Sequence, residues 1–88
     1  MTTEQIKSLI ADNRLDEAEK IIKSLLETRK DDLFYYLLGN IQRKRGNWQE
    51  ALNNYYQAME INPESPASIA AESLNNILNY RNKELMNP

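Results

Sequence analysis

Both glycines of this chain lie in one stretch, LLGNIQRKRGNWQEAL, and a basic run separates them. Gly39 and Gly46 flank Arg43-Lys44-Arg45, a composition that could hold a phosphate group. A phosphate-binding loop, however, follows a strand and has the spacing G-x-x-x-x-G-K-[ST]. That spacing is absent, and Gly39 falls within a helical pattern of apolar residues. We therefore interpret the stretch as helical and not as a nucleotide-binding loop.

Catalytic and metal-binding side chains are scarce. The chain contains no histidine and no cysteine, which removes the commonest general base, the commonest transition-metal ligand, thiolate metal sites and disulfides. Its carboxylates are scattered, and the pairs at 16–17 and 31–32 fall near predicted helix starts, where the helix dipole favours negative charge. The sequence predicts no enzymatic activity, no cofactor and no metal site.

The overall charge and hydropathy exclude further classes. The formal net charge is −2, whereas domains that bind nucleic acids usually carry a clear positive excess. No apolar run approaches the length that spans a membrane. The start, MTTEQIKSLI, lacks the basic segment and long apolar core of a signal peptide. We expect no nucleic-acid partner, no membrane association and a cytoplasmic location.

The elements that would position any site are helices. Apolar residues recur at helical spacing almost throughout, and no stretch alternates in the manner of a strand. The pattern predicts five helices, near residues 3–12, 15–28, 31–45, 48–61 and 66–85.

Helix-end signals support these boundaries. Capping boxes are predicted at two starts, Thr2 with Gln5 and Asn47 with Glu50. Gly46 suits the left-handed residue that ends the third helix. Asn62-Pro63 closes the fourth helix, and Ser65-Pro66 has the form of an N-cap followed by proline.

The chain also repeats itself. When the sequence is aligned with itself so that NRLDEAEKIIKSLLE lies on GNWQEALNNYYQAME, Glu17-Ala18 falls on Glu50-Ala51 within a shared apolar stripe. We call this alignment the repeat register. The sequence therefore contains a helix hairpin that occurs twice.

A repeated helix hairpin of this period resembles the tetratricopeptide repeat. The second unit, residues 32–65, has the pattern's leading aromatic residue, Leu-Gly pair, Ala-x-x-x-aromatic step and closing proline, at Tyr35, Leu38, Gly39, Ala51, Tyr55 and Pro63. Gln42 stands where the pattern has tyrosine. The first unit, about residues 1–31, is degenerate, with Ile6 in place of the packing glycine.

This resemblance implies an all-α single domain over residues 1–88. Its antiparallel helix hairpins would stack as a short right-handed superhelix of two repeats, and a capping helix over 66–85 would cover the last repeat. It also implies a non-enzymatic protein–protein interaction module.

In proteins that this sequence resembles, one side of each repeat's first helix lines a concave groove that holds an extended peptide. The candidate groove residues are Lys7, Leu33, Tyr36, Asn40, Arg43, Lys44, Leu74 and Ile77. Asn40 looks like the asparagine that helps to grip a peptide carboxylate in chaperone-binding members. Tyr36 stands where that grip needs a lysine, so we predict no binding to a chaperone tail.

Several alternatives remain open. The basic run 43–45 can simply be the solvated end of a helix, which we expect for Arg45. The last helix has an apolar stripe, one residue later than strict repetition predicts, at Ala70, Leu74, Ile77, Leu78 and Leu85. Either its entry shifts the packing, or Leu74 and Ile77 face the groove. An exposed apolar edge could also pair two copies as a homodimer, because repeat folds usually need three or more units.

Gly39 requires its own explanation, because glycine inside a helix costs about 1 kcal/mol relative to alanine. We predict that it permits close approach of the next helix near Ala51, with Trp48 and Tyr55 filling the space beside that contact. Gly39→Leu should therefore destabilise the fold far more than Gly46→Asn.

Overall fold

The computed structural model describes residues 2–86, and the side chains of residues 2–79. Every regular element in this range is a helix, and each end lies within two residues of its predicted position. The five helices are α1 (Thr3–Ala11), α2 (Leu15–Leu26), α3 (Asp32–Arg45), α4 (Trp48–Ile61) and α5 (Ala67–Met86). The all-α prediction is confirmed.

The helices pack in chain order, each against the next, and α3 also contacts α1. One group of buried apolar residues joins α1, α2 and α3: Ile6, Ile10, Ala18, Ile22, Phe34, Leu37, Leu38 and Ile41. A second group joins α4 and α5: Ala51, Leu52, Tyr55, Ala58, Ala67, Ala71 and Leu74. Tyr35 and Tyr36 of α3 pack against both groups. The third helix therefore connects the two hairpins into one core.

Side chains cap three of the helix starts. At α5, Ser65 Oγ accepts from the Ala67 N–H at 3.1 Å, the contact expected of the predicted N-cap. At α1, Thr2 accepts a hydrogen bond from the Gln5 N–H at 3.2 Å and donates its own N–H to Gln5 Oε1 at 2.8 Å, which confirms the predicted capping box. Asp31 caps α3 through the N–H two residues later. The predicted capping box at Asn47 is wrong. The Asn47 side chain turns back to α3 instead, where its Nδ2 donates to Gln42 Oε1 at 3.0 Å.

The turns inside the two hairpins have the same backbone geometry. Gly46 ends α3 with φ 82°, in the left-handed conformation predicted for it. Asn13, the equivalent of Gly46 in the repeat register, has φ 64°. In both turns the N–H of the next residue donates to the carbonyl four residues before the left-handed residue, at 2.9 Å. Asparagine is among the few residues with a side chain that adopt this conformation readily, so the first turn forms without glycine.

The close approach at Gly39 is confirmed, but its main neighbour differs from the prediction. A Cβ added to Gly39 would overlap the Cδ1 and Cε1 atoms of Tyr55 and come within 3.0 Å of its Cζ. The fully buried Tyr55 ring, and not Ala51, therefore occupies the space beside this glycine.

The buried face of α5 repeats that of α3. In the repeat register, the α5 core residues Ala67, Ala71 and Leu74 fall on Phe34, Leu38 and Ile41. The placement of Leu74 among the candidate groove residues was therefore wrong, because its side chain is fully buried against the second unit. Ile77 is 40% exposed. Leu85, also assigned to the apolar stripe, lies outside the residues whose side chains are described.

A polar bridge connects the two hairpins at the end of α3. Arg45 pairs with Glu19 at 3.1 Å and with Asp16, both on α2. Gln42 donates to the other carboxylate oxygen of Glu19 at 3.0 Å. The prediction that Arg45 is simply solvated was wrong, since its side chain is only 23% exposed. The hydrogen bond to Glu19 is the main reason that the pKa of Arg45 is raised.

Candidate functional site

The candidate residues on α3 share a side that the core leaves open. Four of them, Leu33, Tyr36, Asn40 and Arg43, are half-buried, and Lys44 is exposed. The residues on the opposite side of the same helix belong to the first core group. A helix that buries one stripe keeps its other side free for contacts. We call this open side of α3, with the flanking sides of α1 and α5, the groove.

A depression of about 230 Å³ lies between α1 and α3 within the groove. Its lining residues are Lys7, Ile10, Ala11, Leu37, Asn40 and Lys44. Three of the residues proposed from the sequence, Lys7, Asn40 and Lys44, thus lie around one open space. The depression combines an apolar wall with two ammonium groups and an amide.

The two lysines are held differently. Lys44 donates from its Nζ to the carbonyl oxygen of Ile10 at 3.1 Å, in the last turn of α1. Cations are favoured at that end of a helix, where carbonyl groups lack helical partners. Lys7 pairs with Glu4 at 3.4 Å on an exposed surface, a contact worth about 0–1 kcal/mol. Lys44 therefore has a backbone partner on α1, whereas Lys7 can exchange Glu4 for another carboxylate at little cost.

A side chain of α4 also reaches the groove. The Tyr55 hydroxyl donates to Asn40 Oδ1 at 2.7 Å. Burial raises the pKa of Tyr55, and the Arg43 guanidinium acts in the opposite direction. Tyr36 lies against the same ring, with a centroid distance of 6.2 Å and an interplanar angle of 36°. Sequence reasoning placed the Tyr55 ring in the core with its hydroxyl reaching water or a backbone carbonyl. It missed this contact, which the absence of a side chain at Gly39 permits.

The α5 side of the groove is apolar. Ile77 is 40% exposed and Ile69 is 73% exposed. Because the repeat register also relates the buried faces of α3 and α5, Ile69 corresponds to Tyr36 and Ile77 to Lys44. Sequence reasoning missed Ile69, although the same register applied to Tyr36 would have found it.

The described residues offer no metal site and no membrane span. None of the helices in that range is both long and apolar enough to cross a bilayer. The same part of the chain contains no group of three or more acidic, histidine or cysteine side chains that could hold a metal ion.

Comparison with known proteins fits this architecture. Residues 33–65 match the tetratricopeptide repeat. The chain is also similar to the Bacteroides fragilis protein BF1650, whose structure was solved by NMR in solution. The two are 42% identical with a TM-score of 0.87, and the match covers 98% of this chain and 89% of that one. No curated protein sequence matches the chain.

The chain belongs to the tetratricopeptide repeat family. Members of this family generally mediate protein–protein interactions, and they are generally non-enzymatic scaffolds.

Proposed function

We propose that this protein is a non-enzymatic interaction module that binds an extended peptide or protein segment in the groove of α1, α3 and α5. The observation that carries the proposal is the open depression around Lys7, Asn40 and Lys44. An extended segment exposes its backbone polar groups, and the groove offers an amide and cationic groups to meet them. The expected cytoplasmic location and the absence of a nucleic-acid partner rest on the sequence alone.

The distribution of charge and apolar surface indicates what kind of segment would fit. Lys7, Arg43 and Lys44 give the α1 and α3 side a positive character, whereas Ile69 and Ile77 make the α5 side apolar. Complementary charges speed association and exclude wrong partners. We therefore expect a segment that carries acidic residues toward α1 and an apolar residue toward α5.

Affinity capture tests the groove. Wild-type protein and the variant Arg43→Glu are immobilised and exposed to the same cell lysate. Lys20→Glu is the matched control, because it makes the same charge change on an exposed residue of α2, outside the groove. Circular dichroism first establishes that both variants keep the helical fold. We expect Arg43→Glu to lose captured proteins that wild type and Lys20→Glu retain. The same captured set from all three would contradict the groove proposal.

Self-association is a second candidate, favoured by the exposure of Ile69. Large apolar side chains that share an exposed face often mark a contact surface. Two copies could pair across a two-fold axis through Ile69 and Ile77 of each α5. Sedimentation at several concentrations tests this: a dimer that Ile69→Asp converts into a monomer supports pairing through α5. A wild-type monomer throughout the micromolar range would exclude the homodimer.

A further inference from the structure

Another depression lies on the exposed side of α4, outside the groove. Its volume is about 450 Å³, and its lining residues are Asn53, Asn54, Tyr56, Gln57 and Glu60. We call these residues the amide face. Three of them end in carboxamides, one is a phenol, and none carries a positive charge. The amide face therefore offers mainly neutral hydrogen-bonding groups, whereas the groove offers cations.

The repeated structure supplies an internal comparison for this face. In the repeat register, Asn53 and Tyr56 fall on Lys20 and Lys23 of α2, and Lys23 pairs with Glu19 at 3.6 Å. The exposed side of α2 thus carries the charges that are typical of a solvated helix surface. Because the hairpin accepts lysines at these positions, it does not require the amides and the phenol that α4 has there.

Helix propensity also indicates that the amides have a role beyond folding. Asparagine is among the poorer helix formers, because its side chain competes for backbone hydrogen bonds. Asn53 and Asn54 nevertheless stand side by side in the middle of α4. Asn53 is exposed, and Asn54 donates to the Glu50 carbonyl at 3.0 Å, which is the competition expected of it. A local preference that is broken without a gain in packing is typical of a functional position.

The hydrogen bonds within α4 leave a mixed set of donors and acceptors on the amide face. Asn53 Oδ1 accepts from Gln49 Nε2 at 3.3 Å, so the Asn53 NH₂ group remains to donate to a ligand. Asn54 donates from its Nδ2, so its Oδ1 remains to accept. The Glu60 carboxylate only accepts. A hydroxyl group both donates and accepts, so neighbouring hydroxyls of one ligand can bond to both kinds of partner.

Tyr56 adds an aromatic surface to these polar groups. Its side chain is 43% exposed, and its hydroxyl accepts from Asn75 Nδ2 of α5 at 2.9 Å, which holds the end of the side chain in place. The negative face of an aromatic ring attracts weakly positive hydrogens, such as those of C–H groups. A sugar ring has hydroxyl groups around its edge and C–H groups on its faces, so it suits a tyrosine that is flanked by amides.

We propose that the amide face binds a neutral oligosaccharide, whose hydroxyls bond to the amides and to Glu60 while one sugar ring stacks on Tyr56. A peptide fits this face less well, because the recurring modes of peptide recognition use sheet edges, apolar grooves or charged clusters, and the lining residues form none of these. An anionic chain would meet the Glu60 carboxylate with no cation among the lining residues to offset the repulsion. This site is independent of the proposed peptide binding in the groove.

Titration of ¹⁵N-labelled protein with three neutral hexasaccharides, maltohexaose, cellohexaose and mannohexaose, tests the proposal. We expect at least one of them to shift the side-chain NH₂ signals of Asn53, Asn54 and Gln57 in a saturable way. An acetylated, amidated glycine–serine hexapeptide should leave these signals in place. Arg43→Glu, which changes the groove, should bind the sugar as wild type does.

Two substitutions assign the binding to the amide face. Tyr56→Ala removes the ring and should weaken sugar binding about tenfold, whereas Tyr56→Phe keeps the ring and should retain most of the affinity. Asn53→Ala removes one amide and should also weaken binding, by up to about tenfold for one hydrogen bond. Its melting temperature should not fall, because alanine is the better helix former, so the weaker binding cannot come from unfolding. Lys20→Ala is the matched control, since it truncates the equivalent residue of α2.

Each result bears on either the ligand class or the location of the site. If none of the three sugars produced a saturable shift, or if the hexapeptide produced the same shift, the assigned ligand class would be wrong. Sugar affinity that Tyr56→Ala and Asn53→Ala both leave unchanged would overturn the assignment to α4. Loss of sugar binding in Arg43→Glu would place the sugar in the groove instead and so contradict the separate site.

Discussion

Gly39→Ala gives the sharpest test of the repeat's packing, because helix propensity and tertiary contacts predict opposite signs. Alanine is favoured over glycine inside a helix by about 1 kcal/mol, so propensity alone predicts a more stable protein. The structure predicts the reverse. The added Cβ would overlap two atoms of the Tyr55 ring, and this ring is fully buried.

The magnitude follows from what the ring must lose. Forcing an extra carbon into a packed core costs about 1–3 kcal/mol, and this contact belongs at the upper end because the atoms that must move belong to a rigid, fully buried ring. Displacing the ring also breaks the Tyr55–Asn40 hydrogen bond, worth about 1 kcal/mol. After the helical gain is subtracted, we expect a net loss of about 2–3 kcal/mol. In a domain of this size that corresponds to a fall in Tm of about 10–20 °C.

Urea unfolding followed by circular dichroism measures this loss, and a double-mutant cycle assigns it to the contact. In a Tyr55→Ala background the clash disappears, so Gly39→Ala should become neutral or stabilising. Both backgrounds are compared in the same concentration of trimethylamine N-oxide, which keeps weakened variants folded. Gly46→Asn is the control, because its position is open and Asn13 already adopts the same backbone conformation. The packing explanation would be refuted if the Gly39→Ala variant were as stable as wild type, or if the substitution lowered the free energy of unfolding equally in both backgrounds.

Three further outcomes are expected. Arg45→Gln should lower the free energy of unfolding by about 1–2 kcal/mol through loss of the pairs to Glu19 and Asp16. Urea titrations should show this difference shrinking as salt is added, and an unchanged free energy of unfolding at low salt would contradict the prediction. Asn13→Gly should raise the free energy of unfolding in urea titrations by up to about 1 kcal/mol, because glycine adopts a positive φ without strain. A clearly lower free energy of unfolding would contradict this and would mean that the asparagine side chain stabilises the turn. Since the pKa of Tyr55 is raised in the folded state, the unfolded chain loses the hydroxyl proton first, and the free energy of unfolding falls as the pH rises above about 10. Tyr55→Phe should make this fall shallower. The same dependence of stability on pH in Tyr55→Phe and wild type would argue against the effect of burial on the pKa.

The helices could be predicted because local signals determine their ends. Helix α4 lies between Gly46 and Asn62-Pro63, and its observed bounds, Trp48–Ile61, are those predicted. The capping box at Thr2 likewise depends on two residues of one helical turn. Asn47 shows the limit of such signals, because its side chain had a second partner, Gln42, across the turn. The predicted right-handed superhelix and the repeat boundaries stay predictions.

The site was less predictable, because its contacts join residues far apart in the chain. Arg45 pairs with Glu19, 26 residues away in the chain. Rules that consider only neighbouring charges therefore predicted that the Arg45 side chain is simply solvated. Leu74 was placed in the groove because its stripe departs by one residue from strict repetition, and only the packing against α4 shows which face of α5 is buried. Lys7, Asn40 and Lys44 line one depression because a repeated helix pair brings equivalent positions together, and their role in binding stays a prediction.

Gly39 connects packing with the proposed binding chemistry. Gly39 makes room for the fully buried Tyr55 ring, and a buried tyrosine hydroxyl requires a hydrogen-bond partner. Because the ring passes the glycine, its hydroxyl finds that partner in Asn40, on the open side of α3. Both helices of the repeat therefore contribute polar groups to the open side of α3.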